Sequence, residues 1–360
     1  MRKRLRVTIV YNEPSTTGGA TKKFVSPMGV LQEGTDERSI RNGAVDLSEV
    51  GVLEEVDNVH TSLMELGYDV SVFNVTDNLC EFVNFLTKQK PDLVFNLCES
   101  LGNVAIHEMH VAGIFEILGM RYTGSPPLTM GLALNKVRVK ELLHYHGIPT
   151  PKFVLYRTPS EVVADDLPLQ FPVIVKPSME DASIGISVDS VVRSHAALKK
   201  RVRSVFQQYD QSVLVEEFID GREFNVSIIG NRRPLALPVS EIDFSTLPSE
   251  LPKILTYHGK WIKGTPEFDG TKGICPADLP ASIETKLREN ALRVYRLLGC
   301  RDYARVDLRL GGDGSPYVLE INPNPDLSDD AGFARSSKAY GLTYTDVVRK
   351  IVECALERNC

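Results

Sequence analysis

From Ala304 to Asn322 the chain alternates apolar and polar residues on both sides of the turn Gly311-Gly312-Asp313-Gly314. That pattern specifies an antiparallel hairpin with one buried face, and few other arrangements satisfy it. Ala304, Val306, Leu308 and Leu310 share one face of the first strand, opposite Arg305, Asp307 and Arg309. On the returning strand Tyr317, Leu319 and Ile321 share a face, while Glu320 and Asn322 project together from the other. Asp307, Glu320 and Asn322 are then three oxygen donors able to converge. Carboxylates and an amide oxygen, without His or Cys, suit a hard cation such as Mg2+, which takes its remaining ligands from water and substrate phosphates. A solvated hairpin face carrying ordinary surface charges is the competing reading.

A chain of 360 residues fits two or three packed units. A formal net charge of -6 and a pI near 5.7 argue against a nucleic-acid partner, which would call for a basic surplus or stripe. After Met1-Arg2-Lys3-Arg4 the apolar run is too short for a secretory signal, and no apolar stretch approaches the roughly twenty residues of a membrane span. A cytoplasmic protein without a membrane partner is expected. Cys80, Cys98, Cys275, Cys300, Cys354 and Cys360 have no paired short spacing, which argues for reduced thiols over a disulfide framework or zinc site.

The first third alternates strand and helix: strands at 5–11, 69–74 and 92–97 and helices at 52–66 and 79–89. This βαβαβ order predicts a parallel sheet with ligands beyond the strand ends, where Asn12, Glu13 and Glu99 lie. The polar segment 14–49 reads as an extended or partly disordered loop that could act as a lid. Gly124-Ser125-Pro126-Pro127 marks a boundary before a helix carrying Asn135, Lys136 and Lys140. Strands follow at 153–156, 173–176 and 212–218, with a helix at 195–208. Beyond Asp220 an antiparallel sheet is expected, with helices at 282–298 and 344–357.

Phe171 to Pro177 is an apolar strand that delivers Lys176 to a small-residue loop, Ser178 to Gly185. A lysine on a flexible stem can follow phosphate oxygens, and amides around Ser183 and Gly185 can cap them. A solvated strand end is the alternative. The loop has no P-loop spacing, and the first unit has no dinucleotide fingerprint. Val213 to Phe224 adds an apolar strand followed by acids: backbone at Glu217, Phe218 and Ile219 can address an adenine edge, and Glu223 can accept two ribose hydroxyl protons. An edge strand with solvated acids is the plainer reading.

In this order the motifs resemble the ATP-grasp superfamily, and specifically the D-alanine-D-alanine ligase family. The resemblance runs from about Leu93 to the C-terminus and includes Asn103 to Gly124, Ala133 to Lys136, Phe171 to Gly185, Val213 to Phe224, Gly273 to Pro276, Cys300 to Leu308 and Leu319 to Asn322. It implies an α/β fold, α+β overall: a Rossmann-like N-terminal domain at 1–128 and two ATP-grasp subdomains at 129–212 and 213–360. By the same resemblance Lys136 and Lys176 touch ATP phosphates, while Glu216, Glu217, Ile219 and Glu223 hold adenosine. Lys260 reaches the γ-phosphate from a lid at 253–271. Asp307, Glu320 and Asn322 bind two Mg2+ ions, with Mn2+ as an alternative, and Arg305 faces the reacting carbonyl. The implied reaction is an ATP-dependent amide or peptide bond between amino-acid or peptide substrates through an acyl phosphate. Dimers are common in that family, which admits a homodimer here.

The departures from the family pattern lie in the amino-acid pocket. Ala182 replaces a serine, Asp181 a glycine, and Trp261 a lid tyrosine. The N-terminal acidic motif is replaced by Tyr11-Asn12-Glu13-Pro14, leaving Glu13 or Glu99 to hold an ammonium. Pro323-Asn324-Pro325-Asp326, with Ala331 in place of a serine, follows Asn322. His107 and Asp326 complete the candidate substrate residues. These changes leave the ATP machinery intact and make the substrate something other than strictly D-alanine. A strict D-alanine-D-alanine ligase and a non-catalytic nucleotide-binding protein are the alternatives.

Overall fold

The computed structural model describes residues 4–13, 22–25, 31–34, 40–41, 44–45, 51–76, 78–102, 104–162, 167–329 and 331–358. The first unit is built from β1 (Arg6–Tyr11), the small hairpins β2 (Lys22–Val25) with β3 (Leu31–Gly34) and β4 (Ile40–Arg41) with β5 (Ala44–Val45), α1 (Val52–Glu65), β6 (Asp69–Asn74), α2 (Leu79–Gln89), β7 (Leu93–Leu97) and α3 (His107–Ile117). β1 pairs in parallel with β6 and β7, giving the order β6-β1-β7. The parallel sheet expected from the alternating pattern is therefore present. Most of 14–49, and with it the expected loop or lid, lies outside the described residues; the two hairpins are separate two-stranded sheets.

Next come α4 (Pro127–Leu134) and α5 (Lys136–Tyr145), separated only by Asn135. The Asn135 side chain accepts a hydrogen bond from the Arg138 amide, which stops one helix and starts the other. A four-stranded sheet follows from β8 (Phe153–Tyr156), β9 (Val173–Pro177), β10 (Val191–Val192), α6 (His195–Tyr209) and β11 (Val213–Glu217), in the order β10-β9-β11-β8. Since β11 pairs with both β8 and β9, this sheet ends at Glu217 rather than at the expected boundary of 212. Val173, Val175, Val213 and Val215 point into a core under α6, so Lys176 and Glu216 emerge on the opposite face.

The last unit contains β12 (Glu223–Ile229), β13 (Leu235–Ala236), β14 (Ser240–Asp243), α7 (Tyr257–Trp261), α8 (Pro266–Asp269), β15 (Lys272–Ile274), α9 (Ala281–Leu297), β16 (Tyr303–Leu310), β17 (Pro316–Asn322), α10 (Gly332–Ala339) and α11 (Tyr344–Leu356). Its sheet runs β15-β14-β12-β16-β17, all antiparallel. Phe224, Val226, Val306, Leu308 and Ile321 pack with α9, α4 and α5 residues on one face. The alternate positions of the same strands are left to face the second sheet. Helix α11 packs Val347, Val348, Ile351 and Val352 against Val7, Ile9 and Leu93 of the first unit, so the C-terminus buttresses the N-terminal sheet.

Candidate active site

Lys136 and Lys140 are four residues apart on α5 and therefore share one face, which points at the two sheets. The Lys140 ammonium, fully buried, lies 2.7 Å from one oxygen of Glu216, and the Lys176 ammonium lies 2.7 Å from the other. Lys140 also donates to the Thr150 hydroxyl at 2.8 Å. Burial lowers Lys140 to about 8 despite Glu216, and the two lysines hold Glu216 below the usual carboxylate range against its own burial. Glu216 is thus paired with two lysines at the site where its place beside adenosine is expected. Lys176 is fixed at the sheet end, with a residual positive charge in the triad.

Lys136 sits 2.8 Å from Asp181 and 3.0 Å from Glu320. Burial alone would depress its pKa, but Asp181 and Glu320 carry it above the ordinary lysine value. Burial would raise Glu320, yet Lys136 and Lys176 bring it down to about 2, so it stays ionised. Across the sheet, Asn225, Asp307 and Glu320 occupy one row on three adjacent strands. Asn225 donates to Asp307 at 2.6 Å, and Arg305 grips the same carboxylate with two bonds of 2.8 Å. Burial opposes the Arg305 charge, but Asp307 more than offsets it and holds the guanidinium protonated.

These donors fit a divalent metal bound with a polyphosphate: Asp307 and Glu320 are opposed hard oxygen ligands, and buried lysines lie alongside. Among the described residues no three His, Cys, Asp or Glu side chains gather into a metal-binding group. Asn322 sits opposite Arg305, and its side-chain oxygen accepts from the Asn324 amide at 2.9 Å. One lone pair of that expected ligand is therefore used in a local turn.

On the loop after β9, Ala182, Ser183 and Gly185 all have positive φ, of 53, 63 and 77°. At Gly185 a β-carbon would lie 2.5 Å from the Pro177 ring, so both conformation and close approach require glycine. The lid segment comes down on this loop. The Tyr257 amide donates to the Ile186 carbonyl at 3.0 Å, and the Trp261 indole donates to the Ala182 carbonyl at 3.1 Å. Lys260 lies 4.6 Å from the centre of the Trp261 ring; desolvation and nearby Arg305 lower its pKa. At the adenine side, the Glu217 and Phe218 amides are already donated to Lys152 and Pro172 carbonyls. Of the main-chain groups expected to address adenine, those two amides are already used, while the carbonyls at 217–218 and Ile219 are the remaining candidates. Glu217 itself faces Lys152 at 3.7 Å. Arg309 stacks 4.8 Å from the Phe218 ring centre and 3.7 Å from Glu223, which burial raises to about 7 against the pull of Arg309.

The candidate substrate residues divide. Glu13 turns back to accept from the Tyr11 hydroxyl at 3.0 Å, and burial with Glu13 pushes that phenol up to about 12. Glu99 instead joins the site: its amide and that of Ser100 donate to Asn12, and its charge acts on Lys260, Glu55 and Glu108. Asp326 accepts from the Ser328 amide and hydroxyl, and its charge reaches Lys260 and Arg305. His107 opens α3, and its Nδ1 is 2.8 Å from the Leu101 carbonyl, a tie that holds the 101–107 loop. The residues missed from sequence are Asn225 and the buried Glu55 and Glu108; Lys140 and Asp181 were named without their ion-pair partners. Of these, Asn225 was detectable as the polar position two residues beyond Glu223 on one strand.

The family described as D-ala D-ala ligase C-terminus matches residues 142–353 of this chain. An uncharacterised protein of Sinorhizobium fredii, y4sG, is 34% identical over 307 residues, 84% of this chain and 87% of that protein. A D-alanine–D-alanine ligase of Carboxydothermus hydrogenoformans is 31% identical over 313 residues, 84% of this chain and 92% of that enzyme. The chain belongs to the D-alanine-D-alanine ligase family. The crystal structure of the Bacillus anthracis D-alanine–D-alanine ligase complexed with ATP shares the fold, with a TM-score of 0.71 at 21% identity over 99% of this chain and 98% of that one. The protein is an ATP-grasp ligase that forms an amide bond with ATP and a divalent metal, as its family does. No helix among the described residues is long and apolar enough to cross a membrane.

Proposed function

We propose that this ligase joins the carboxylate of one amino-acid-like substrate to the amine of another, with a substrate pair not confined to D-alanine. The observation that carries the reading is the row Asn225, Asp307 and Glu320, set between the Lys136 and Arg305 cations. In the proposed mechanism Lys136, Lys176 and Lys260 bind the phosphates, and Glu223 takes the ribose. Asp307, Glu320 and the free lone pair of Asn322 would hold two Mg2+ ions, and that positive charge would offset the charge on a transferred phosphoryl group. A carboxylate is a poor electrophile. Its phosphorylation gives an acyl phosphate, which the amine attacks as phosphate leaves. Arg305 stabilises the oxyanion of that attack, a contribution of about 3 to 4 kcal/mol for one such donor. The lid, tied down through Trp261, excludes the water that would hydrolyse the acyl phosphate.

A strict D-alanine-D-alanine specificity is the second reading, favoured by the name of the Carboxydothermus relative. Against it, Ala182 offers its carbonyl to Trp261 and has no hydroxyl to orient a substrate, and Asp326 adds a carboxylate near Lys260. Phosphate release from ATP and Mg2+ with panels of amino acids and dipeptides, with mass spectrometry of products, tests the proposal. Amine-dependent turnover with several pairs is expected. Turnover with D-alanine alone supports the strict reading, and ATP binding without any amine-dependent product overturns both in favour of a binding protein.

A further inference from the structure

Beside the reacting wall is a surface cavity of about 320 Å³ lined by Gly273, Cys275, Arg335, Lys338 and Ala339. It holds two cations and no acid in its lining. Gly273 ends the path from the lid into β15, and Arg335 comes from α10, one helical turn beyond Ala331, whose carbonyl accepts its amide at 3.0 Å. The guanidinium lies directly on Gly273: a β-carbon there would be 2.2 Å from its central carbon, so only glycine leaves it room. Gly332 lies close to both Arg335 and the catalytic residues. A β-carbon on Gly332 would lie 3.6 Å from Arg335 Nη2, 3.7 Å from Arg305 Cδ and 3.4 Å from Asn225 Oδ1. Arg335, which lines the cavity, is therefore a near neighbour of Arg305.

We infer that Arg335, supported by Lys338, recognises the carboxylate of the amine substrate and so sets the acceptor specificity of this ligase. The inference rests on the proposed ligase reading. In that reaction the acyl donor's carboxylate is consumed by phosphoryl transfer beside Arg305, so the carboxylate left to be recognised in an amino-acid pair belongs to the acceptor. A guanidinium fork suits a carboxylate better than any neutral isostere, because its two parallel N–H groups match the two oxygens. The site therefore selects an amine bearing a free carboxylate and disfavours its carboxamide.

The test titrates glycine and both enantiomers of alanine, each with its carboxamide, into the protein loaded with Mg2+ and a non-hydrolysable ATP analogue. The same amines are then assayed as acceptors with ATP. Wild-type protein is expected to prefer the carboxylate form at least tenfold. Arg335→Ala loses that preference and raises acceptor KM tenfold or more, with kcat and the KM for ATP little changed; Arg335→Lys recovers part of it. Thermal melting verifies that each variant is folded, and Lys338→Ala gives a milder loss at an exposed position. Equal binding of acid and carboxamide by wild type, or an unchanged preference in folded Arg335→Ala and Arg335→Lys, overturns the inference even where products form. A rise confined to the acyl donor's KM also overturns it. The binding arm reads the site without turnover, so absent product counts against the ligase reading alone.

Discussion

The phosphate end and the amino-acid end of this site are built on different principles. At the phosphate end most charges are paired across regular elements: Lys140 and Lys176 with Glu216, Lys136 with Glu320, Arg305 with Asp307. At the amino-acid end, the loop carboxylates Glu99, Asp181 and Asp326 lie near Glu55 of α1 or Glu108 of α3. Burial raises Glu55 and Glu108, and both rise further from neighbouring acids, Asp326 and Glu99 for the first and Glu99 and Asp181 for the second. The first arrangement is preorganised for one fixed ligand. The second keeps Glu55 and Glu108 protonated to an unusually high pH, and a substrate ammonium placed beside them would favour their ionisation. One fold can therefore keep its phosphoryl chemistry while its substrates change.

Removing charge from the phosphate end gives the largest effects. Glu320→Gln takes away a metal ligand and the partner of Lys136; amide formation should fall on the order of a hundredfold or more, with an unchanged circular dichroism spectrum. Wild-type turnover would show that Glu320 only steadies Lys136. Next is Glu216→Gln, which strands two buried ammonium groups and should destabilise the protein by about 3 to 5 kcal/mol in denaturant unfolding. A loss under 1 kcal/mol would mean that water reaches the triad.

Glu223 lies between the two ends in character, since it is buried beside Arg309 but not tightly paired. With its pKa near 7, it keeps a proton at neutral pH that the unfolded chain has released above the ordinary value of 4.5. Its contribution to stability is therefore full below that ordinary value and lost as pH rises through 7. Nucleotide binding has the opposite sign, because the ionised carboxylate accepts both ribose hydroxyls. Affinity for ADP without metal should rise about tenfold from pH 6 to pH 8, and Glu223→Gln should flatten the profile. A flat wild-type profile would remove Glu223 from the ribose site.

The same contrast decides what could be read from sequence. Period-two alternation placed Arg305, Asp307, Glu320 and Asn322 on one face, and the structure keeps that face. A bulge opposite Asp307 and Leu308 breaks the expected face of Tyr317, Leu319 and Ile321, and Val318 joins Ile321 in the core instead. Apolar runs also located the three strands of the first sheet, three of the four strands of the second, and helices α1, α2, α6, α9 and α11. The partner of Glu216 was not legible: Lys140 is remote in sequence and meets it only when α5 packs over the central sheet. Likewise β11 looked like the start of a new unit until its hydrogen bonds assigned it to the preceding one. Nothing local marks α11 as a buttress of the first sheet, since an amphipathic helix does not specify which surface it covers. Turns and long-range ion pairs escape a local code.

Asp181 offers the smallest and most discriminating change, because it comes from the variable loop and reaches into the fixed end. Its carboxylate holds Lys136 at 2.8 Å while nearly half exposed to solvent. ATP phosphates bound to Lys136 must compete with that contact, so the pair is a mild brake on nucleotide binding. Exposed pairs of this kind are worth roughly 0 to 1 kcal/mol, so Asp181→Asn should lower the KM for ATP by about fivefold at most. Glu320 still holds Lys136 in that variant, which preserves the lysine's position. A raised KM would reverse the assignment: Asp181 would then orient Lys136 for phosphate, and the variable loop would belong to the phosphate machinery after all.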